Sequence, residues 1–192
     1  MATDRNLRHL VSKRLIASGF RRTGRNHLKL LQSGVWSVVD TGPLENRSDI
    51  APWVGLRLDE VEEAYTRLLG IPNEGHIATV GSNVGYIVSG EYKHWAGEAD
   101  AEDVLAEIER AQRVLSSYAD IERLSEAWKI RGTEAPGYQR HLALVHHMVG
   151  NRAETQRWLR EAERVECRVE DALCDEFRRF REKLVAESSS PR

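Results

Sequence analysis

Ser18-Gly19-Phe20-Arg21-Arg22-Thr23-Gly24-Arg25-Asn26 is the stretch where the chain changes its period. Before it, Leu7, Leu10, Val11 and Leu15 recur at helical spacing, with Arg8, Lys13 and Arg14 off that stripe, so Asp4 to Ser18 reads as a helix. After it, Leu28 and Leu30 alternate as in a strand. Gly19 stands where a left-handed C-cap is easiest for glycine. Phe20 can then fold back on the helix, while Arg21 and Arg22 face solvent, and Gly24 begins the turn into the strand. Gly19 and Gly24 have the spacing of a phosphate-binding loop. However, Arg25-Asn26 stands where Lys and Ser/Thr are required, and the order is helix to strand, so the helix cap is the reading.

Working outward, Asn26 to Gln32 and Val35 to Asp40 are two strand-like runs joined at Ser33-Gly34, the signal of a hairpin. Pro52 introduces a third strand. It carries Val54, Leu56 and Leu58 on one face and Trp53, Gly55 and Arg57 on the other. Asp59 with Glu62 makes a capping box for a short helix burying Val61, Tyr65 and Leu68 and ended by Gly70 and Pro72. His76 to Val80 and Val84 to Ser89 read as further strands, with Gly81-Ser82-Asn83 a hairpin loop or a bulge. From Ala101 the pattern is helical through Val104, Ile108, Ala111, Leu115 and Tyr118. Asp120 caps a second helix bearing Ile121, Leu124 and Trp128.

The helix ending in Gly-Phe plus basic residues resembles the start of a bacterial domain-of-unknown-function family in which several strands follow. Ala78-Thr79-Val80-Gly81-Ser82-Asn83-Val84-Gly85-Tyr86, with Trp95 beyond it, and the segment Asp103 to Trp128 are similar to later parts of that family. Some members of such families look like immunity proteins encoded beside polymorphic toxins. The resemblance therefore implies a small α+β domain and an immunity-like role.

The chain has 192 residues and a formal net charge of −2, which gives no global pull toward nucleic acid or membrane. Charge is uneven locally: Arg5, Arg8, Lys13, Arg14, Arg21, Arg22, Arg25 and Lys29 face a single Asp4, and Asp59, Glu60, Glu62 and Glu63 are acidic. No apolar run is long enough for a membrane span, and the first residues lack a signal-peptide core, so a cytoplasmic location is expected.

Arg131 to Gly137 is the clearest boundary. It divides the chain into an α+β domain (1–130), a linker (131–137), a helical hairpin plus final helix (138–187) and a tail (188–192). In the hairpin, Leu142, Val145 and Val149 face Trp158, Leu159, Ala162 and Val165. Asn151 caps the second helix with Glu154, and the turn Val149-Gly150-Asn151 resembles one tetratricopeptide-type unit. The last helix aligns Val169, Leu173, Phe177, Phe180 and Leu184. Cys167 and Cys174, placed within one helix, would lie about 10 Å apart along its axis, too far for a disulfide, so free thiols are expected.

No motif declares a chemistry. His141, His146 and His147 lack the i, i+4 spacing of a zinc pair, the Gly-x-Ser-x-Gly elbow is absent, and no dinucleotide fingerprint occurs, so no catalytic residue, metal or cofactor is assigned. The expected function is a non-enzymatic protein-binding module, an immunity-like protein that covers a toxin. Its partner is expected on Trp53, Arg57, Asp59, Glu60 and Glu63, with the sheet aromatics Trp36, Tyr86, Tyr92 and Trp95. The alternative is nucleic-acid binding through Arg21, Arg22, Arg25 and Lys29. The lack of interleaved aromatics there favours a solvated basic face instead. A third possibility is an enzyme with a dispersed site around His94 and nearby carboxylates.

Overall fold

The computed structural model describes residues 7–42, 49–134, 137–168 and 171–189. Among these are eight helices and a five-stranded antiparallel sheet, an α+β fold. The chain divides into two compact units. One comprises residues 1–58 and 76–133, the other 59–75 and 134–192. The passage between them at Thr133 falls inside the boundary read from Arg131 to Gly137. The second unit also takes in 59–75, which the sequence reading had left with the α+β domain.

In the first unit, α1 (Leu7–Ala17) buries Leu7, Val11 and Leu15, half-buries Leu10, and ends at Gly19, whose φ of +93° lets the Phe20 N–H reach back to the Leu15 carbonyl at 3.1 Å. Phe20 is buried, as its place after the cap predicts. The strands β1 (Arg21–Thr23), β2 (Asn26–Gln32), β3 (Val35–Asp40), β4 (Trp53–Leu58) and β5 (Val80–Asn83) lie in sequence order, each antiparallel to its neighbour. The hairpin at Ser33-Gly34 and the strand after Pro52 stand where the alternation places them. β1 goes beyond the sequence reading: three polar residues extend the sheet by pairing Arg21 with Leu28 and Arg22 with His27.

Paired residues of an antiparallel ladder share a face. One face carries Arg22, His27, Ser37, Val39, Val54, Leu56 and Leu58. α1 and α4 (Ala101–Ser116) pack on it, with Ser12 hydrogen-bonded to His27 and Gln112 donating to Ser37 Oγ at 2.8 Å. Along α4, Val104, Ile108, Ala111 and Leu115 are fully buried, and Asp100 and Asp120 cap α4 and α5 (Ile121–Ala127) as read.

The opposite face carries Trp53, Gly55 and Arg57, also as the alternation predicts. It is covered from within this unit. A Cβ on Gly81 would stand 2.4 Å from the Trp53 ring and one on Gly55 2.7 Å from it, so the indole lies flat on bare backbone. Arg57 donates from Nη1 to the Ile77 carbonyl at 3.0 Å, and Thr79 N–H donates to the Leu56 carbonyl at 2.8 Å. Residues 76–79 thus run across the face instead of forming a strand. The expected strand Val84–Ser89 is a helix, α3 (Val84–Ser89). Asn83 Oδ1 accepts the Gly85 N–H at 3.0 Å, which starts a turn of helix despite the β-branched composition.

In the second unit, α2 (Asp59–Leu69), α6 (Tyr138–Met148), α7 (Arg152–Glu166) and α8 (Asp171–Ser189) pack around Leu68, Leu142, Leu159, Ala162, Phe177, Phe180 and Leu184. α6 and α7 form the expected hairpin, with Asn151 accepting from the Glu154 N–H at 3.2 Å. Val169 lies outside the described residues, and Leu173 is exposed at the edge of the α8 stripe. Cys167 and Cys174 are disulfide-bonded with their Cα atoms 4.4 Å apart, contrary to the free thiols expected. The axial estimate fails because the helix does not continue: α7 ends at Glu166, Cys167 is its C-cap, and Cys174 lies in the first turn of a new helix.

Candidate functional site

A group of cationic side chains in the first unit lies where α1 meets the ends of β1, β2 and β3. Arg8, His9 and Ser12 come from α1, Arg22 from β1, Arg25 from the following turn, His27 from β2, and Thr41 follows β3. Together they line a cavity of about 190 Å³, and among the described residues no carboxylate lines it.

The local sequence dictates this convergence. Arg8 and Ser12 are four apart on α1 and so stand on one side of it. Arg22 and His27 are directly paired across β1–β2, and Thr41 continues the alternation of Val39 on the same face. The floor is formed by buried Ser12 and His27, joined Oγ to Nε2 at 2.7 Å. Burial pushes the His27 pKa below its ordinary value, with Arg22 and Arg8 acting the same way and the Val39 backbone and Asp40 against them. The ring is therefore neutral near pH 7 and offers a dipole, not a charge. At the rim, Arg8 Nε donates to Thr41 Oγ1 at 3.1 Å, Arg22 Nε to the Gly24 carbonyl at 3.1 Å, and Arg25 stands 3.2 Å from Asp40.

Arg21 lies on the opposite face of the sheet from this cavity, and Lys29 lines a separate pocket with Ser18, Phe20 and Glu109. The Arg21 guanidinium stands 6.0 Å over the Trp36 ring, and Lys29 Nζ stands 5.6 Å over Phe20 while donating to the Ser18 carbonyl at 3.1 Å. Aromatic rings thus accompany the basic corner, contrary to the sequence expectation, because the hairpin brings Trp36 across from β3. Of the four cations read from sequence, the fold gathers Arg22 and Arg25 at the cavity. It adds Arg8, His9, Ser12, His27 and Thr41, which no local motif marked.

The surface expected to hold a protein partner is not assembled in that form. Arg57 is 3% exposed and Trp53 half-buried, because both are engaged by residues 76–81. Asp59, Glu60 and Glu63 belong to α2 in the other unit, where Glu60 and Glu63 are exposed. The remaining aromatics do gather: Tyr86 and Tyr92 have ring centroids 6.0 Å apart, Tyr92 and His94 6.1 Å, Arg131 lies 5.2 Å over Tyr86, and Lys93 lies 5.0 Å over Trp95. Among the described residues no carboxylate is ion-paired with His94.

The second unit holds a buried polar cluster. Arg140, 3% exposed, is bidentate to Glu166, reaches Glu176, and donates to the Leu173 carbonyl at 3.4 Å. Beside it His141 stacks on Tyr65 at 3.8 Å and places Nε2 3.4 Å from Glu62 Oε1. Burial raises the Tyr65 pKa to about 12. His141 thus belongs to this packed cluster, and among the described residues no group of three or more His, Cys, Asp and Glu could hold a metal ion. No helix among them is long and apolar enough to cross a membrane.

The chain matches no protein-family model, no curated protein and no solved structure.

Proposed function

We propose that the chain is a binding module for a phosphate-bearing polyanion, with single-stranded nucleic acid as its ligand at the α1–β1–β2 corner. One observation supports this reading: the fold brings Arg8 from α1 to Arg22 and Arg25 around a cavity that has no carboxylate among its described lining residues and is floored by hydroxyl and imidazole groups. Guanidinium groups bind phosphate through paired N–H donors. Lys13 is exposed on α1 outside the cavity, Arg21 is exposed on the other face of the sheet, and Lys29 stands half-buried in a separate pocket by Phe20. Trp36 and Phe20 hold Arg21 and Lys29 over their rings, which lowers the cost of fixing those side chains.

Binding of this kind releases counterions. With four or five cations engaged on a single strand, log K should fall against log salt with a slope of roughly −3. A rise from about 50 to 200 mM salt then weakens binding by roughly 60-fold. Fluorescence anisotropy of a labelled oligonucleotide measures this directly, and Arg22→Gln should reduce the slope by about 0.7. No binding at low salt, or binding indifferent to salt, would sink the reading.

A second reading rests on the aromatic group Tyr86, Tyr92, His94 and Trp95 with Lys93 and Arg131. Tyr92 is half exposed there, and Tyr, Trp and Arg are the residues that anchor protein interfaces. It fits a protein partner and the immunity-like role. Capture of one stoichiometric protein after nuclease treatment, lost in Tyr92→Ala, supports it; capture unchanged by that substitution counts against it.

A further inference from the structure

Ser12 and His27 meet at the floor of the cavity with Oγ and Nε2 2.7 Å apart. A buried imidazole needs a polar partner, and a serine hydroxyl supplies one. Three further features go beyond that requirement. The pair opens on a cavity of about 190 Å³, so the hydroxyl is not sealed in the core. Ser12 is the more exposed member, at 9% against 1% for His27, the order in which a nucleophile and its base meet a substrate. The imidazole is neutral near pH 7 because burial and Arg22 oppose its protonation, so it is in the form that accepts a proton.

The ring is also oriented. His27 is paired with Val39 across the β2–β3 ladder, and the Val39 backbone favours a proton on the ring. With that proton held toward Val39, Nε2 accepts from the Ser12 hydroxyl. A hydroxyl aimed at a base, with the base oriented by a third group, is the arrangement that activates a serine. Such a constellation is recognised by its geometry, and α1 presents Ser12 here without a Gly-x-Ser-x-Gly elbow.

We infer that Ser12 is a nucleophile and His27 its general base, in a site that hydrolyses esters of short acyl groups. Ser12 Oγ forms a bond to the ester carbonyl carbon as its proton passes to His27 Nε2. The oxyanion develops in the positive field that Arg22 exerts at this point. The carbon–oxygen bond to the alcohol then breaks, and the alcohol leaves with the proton from His27. A water that gives its proton to His27 attacks the acyl-serine, releases the carboxylic acid and restores the hydroxyl. No group is oxidised or reduced, and water is the sole co-reactant. The cavity sets the substrate class. Its volume lies below the roughly 300–1,000 Å³ of sites that enclose whole small molecules, so it holds the acyl group and leaves the alcohol outside. This activity goes beyond the polyanion reading and does not depend on it, since it needs neither a strand nor an unpaired arginine.

The test treats the full chain with a fluorophosphonate probe, from which a serine oxygen displaces fluoride at phosphorus, and with p-nitrophenyl acetate. Expected are a probe adduct placed on Ser12 by mass spectrometry and a burst of p-nitrophenolate that leaves an acetyl group on the same residue. Both should vanish in Ser12→Ala. His27→Gln keeps a hydrogen-bonding partner for Ser12 but cannot take its proton, so labelling should slow by roughly 100-fold or more. Urea midpoints of the two variants show that each is folded, and the position of the adduct in the parent chain decides the matter without any variant. No adduct on Ser12, or ester hydrolysis that survives Ser12→Ala, overturns the inference. Labelling of a folded His27→Gln at the parent rate assigns the pair to structure alone and overturns it as well. Salt-dependent oligonucleotide binding is measured apart from these readouts, so the polyanion reading and the esterase inference fail separately.

Discussion

Replacing Arg140 with methionine should unfold the helical unit at markedly lower denaturant, and the structure sets the size of the effect. Arg140 lies in the first turn of α6 with its guanidinium donating to Glu166, Glu176 and the Leu173 carbonyl. Burial opposes its charge, yet its hydrogen bonds to Glu166 and Glu176 raise its pKa further. Glu166 is itself only 6% exposed, whereas the Glu176 side chain is 42% exposed and regains water easily. Methionine fills much of the volume but leaves the Glu166 carboxylate buried without a counter-ion. Breaking a buried pair this way costs about 3–5 kcal/mol. With a urea dependence of about 2 kcal/mol per molar, the midpoint should fall by roughly 2 M. The double variant Arg140→Met/Glu166→Leu should recover most of the loss, because it removes the stranded charge together with its partner. Urea titrations followed by far-UV circular dichroism measure both. A single-variant loss under about 1 kcal/mol, or a double variant no better than the single, would refute the view that this cluster holds α6, α7 and α8 together.

Three further outcomes are expected. Gly81→Ala should destabilise the sheet unit by about 1–3 kcal/mol, because its Cβ would stand 2.4 Å from the Trp53 ring; an unchanged urea midpoint would mean the indole is not fixed on the backbone. Reducing the Cys167–Cys174 bond, which closes a loop with a sequence separation of 7, should lower the stability of the helical unit by about 2–3 kcal/mol, read as a urea midpoint with and without reductant. His27 has a depressed pKa in the folded chain, so the unfolded chain binds the extra proton and stability should fall as pH drops below about 6.5. Titrating urea midpoints from pH 7.5 to 5 in the parent and in His27→Gln should show a shallower acid-side slope in the variant, and identical slopes would contradict a neutral buried imidazole beside Arg8, His9, Arg22 and Asp40.

What the sequence made legible was local, and what it hid was assembled from afar. The Ser33-Gly34 hairpin, the Gly19 cap and the Asp100, Asp120 and Asn151 caps each depend on residues within a few positions, so the pattern of side chains is enough. Residues 76–89 misled because β-branched composition and a single capping side chain pointed in opposite directions. Asn83 prevailed, since its carboxamide oxygen takes the Gly85 and Lys93 N–H groups at once while its Nδ2 donates to the Lys93 carbonyl. β1 was invisible for a different reason: Arg21-Arg22-Thr23 has no apolar alternation and is a strand only because β2 offers it partners.

The cavity belongs wholly to the hidden class. Ser12 meets His27 across 15 positions and Arg8 meets Thr41 across 33, so no spacing rule links them. The apolar alternation of β2 runs through Leu28 and Leu30, so nothing in the sequence marks His27, which stands on the other face with Lys29, as an inward residue. Only the fold shows that a buried imidazole there needs a polar partner, which it finds in Ser12 on the buried stripe of α1, one turn from Arg8. That pair lies where the fold sets uncharged polar groups beneath several arginines, an arrangement that apolar packing alone does not require.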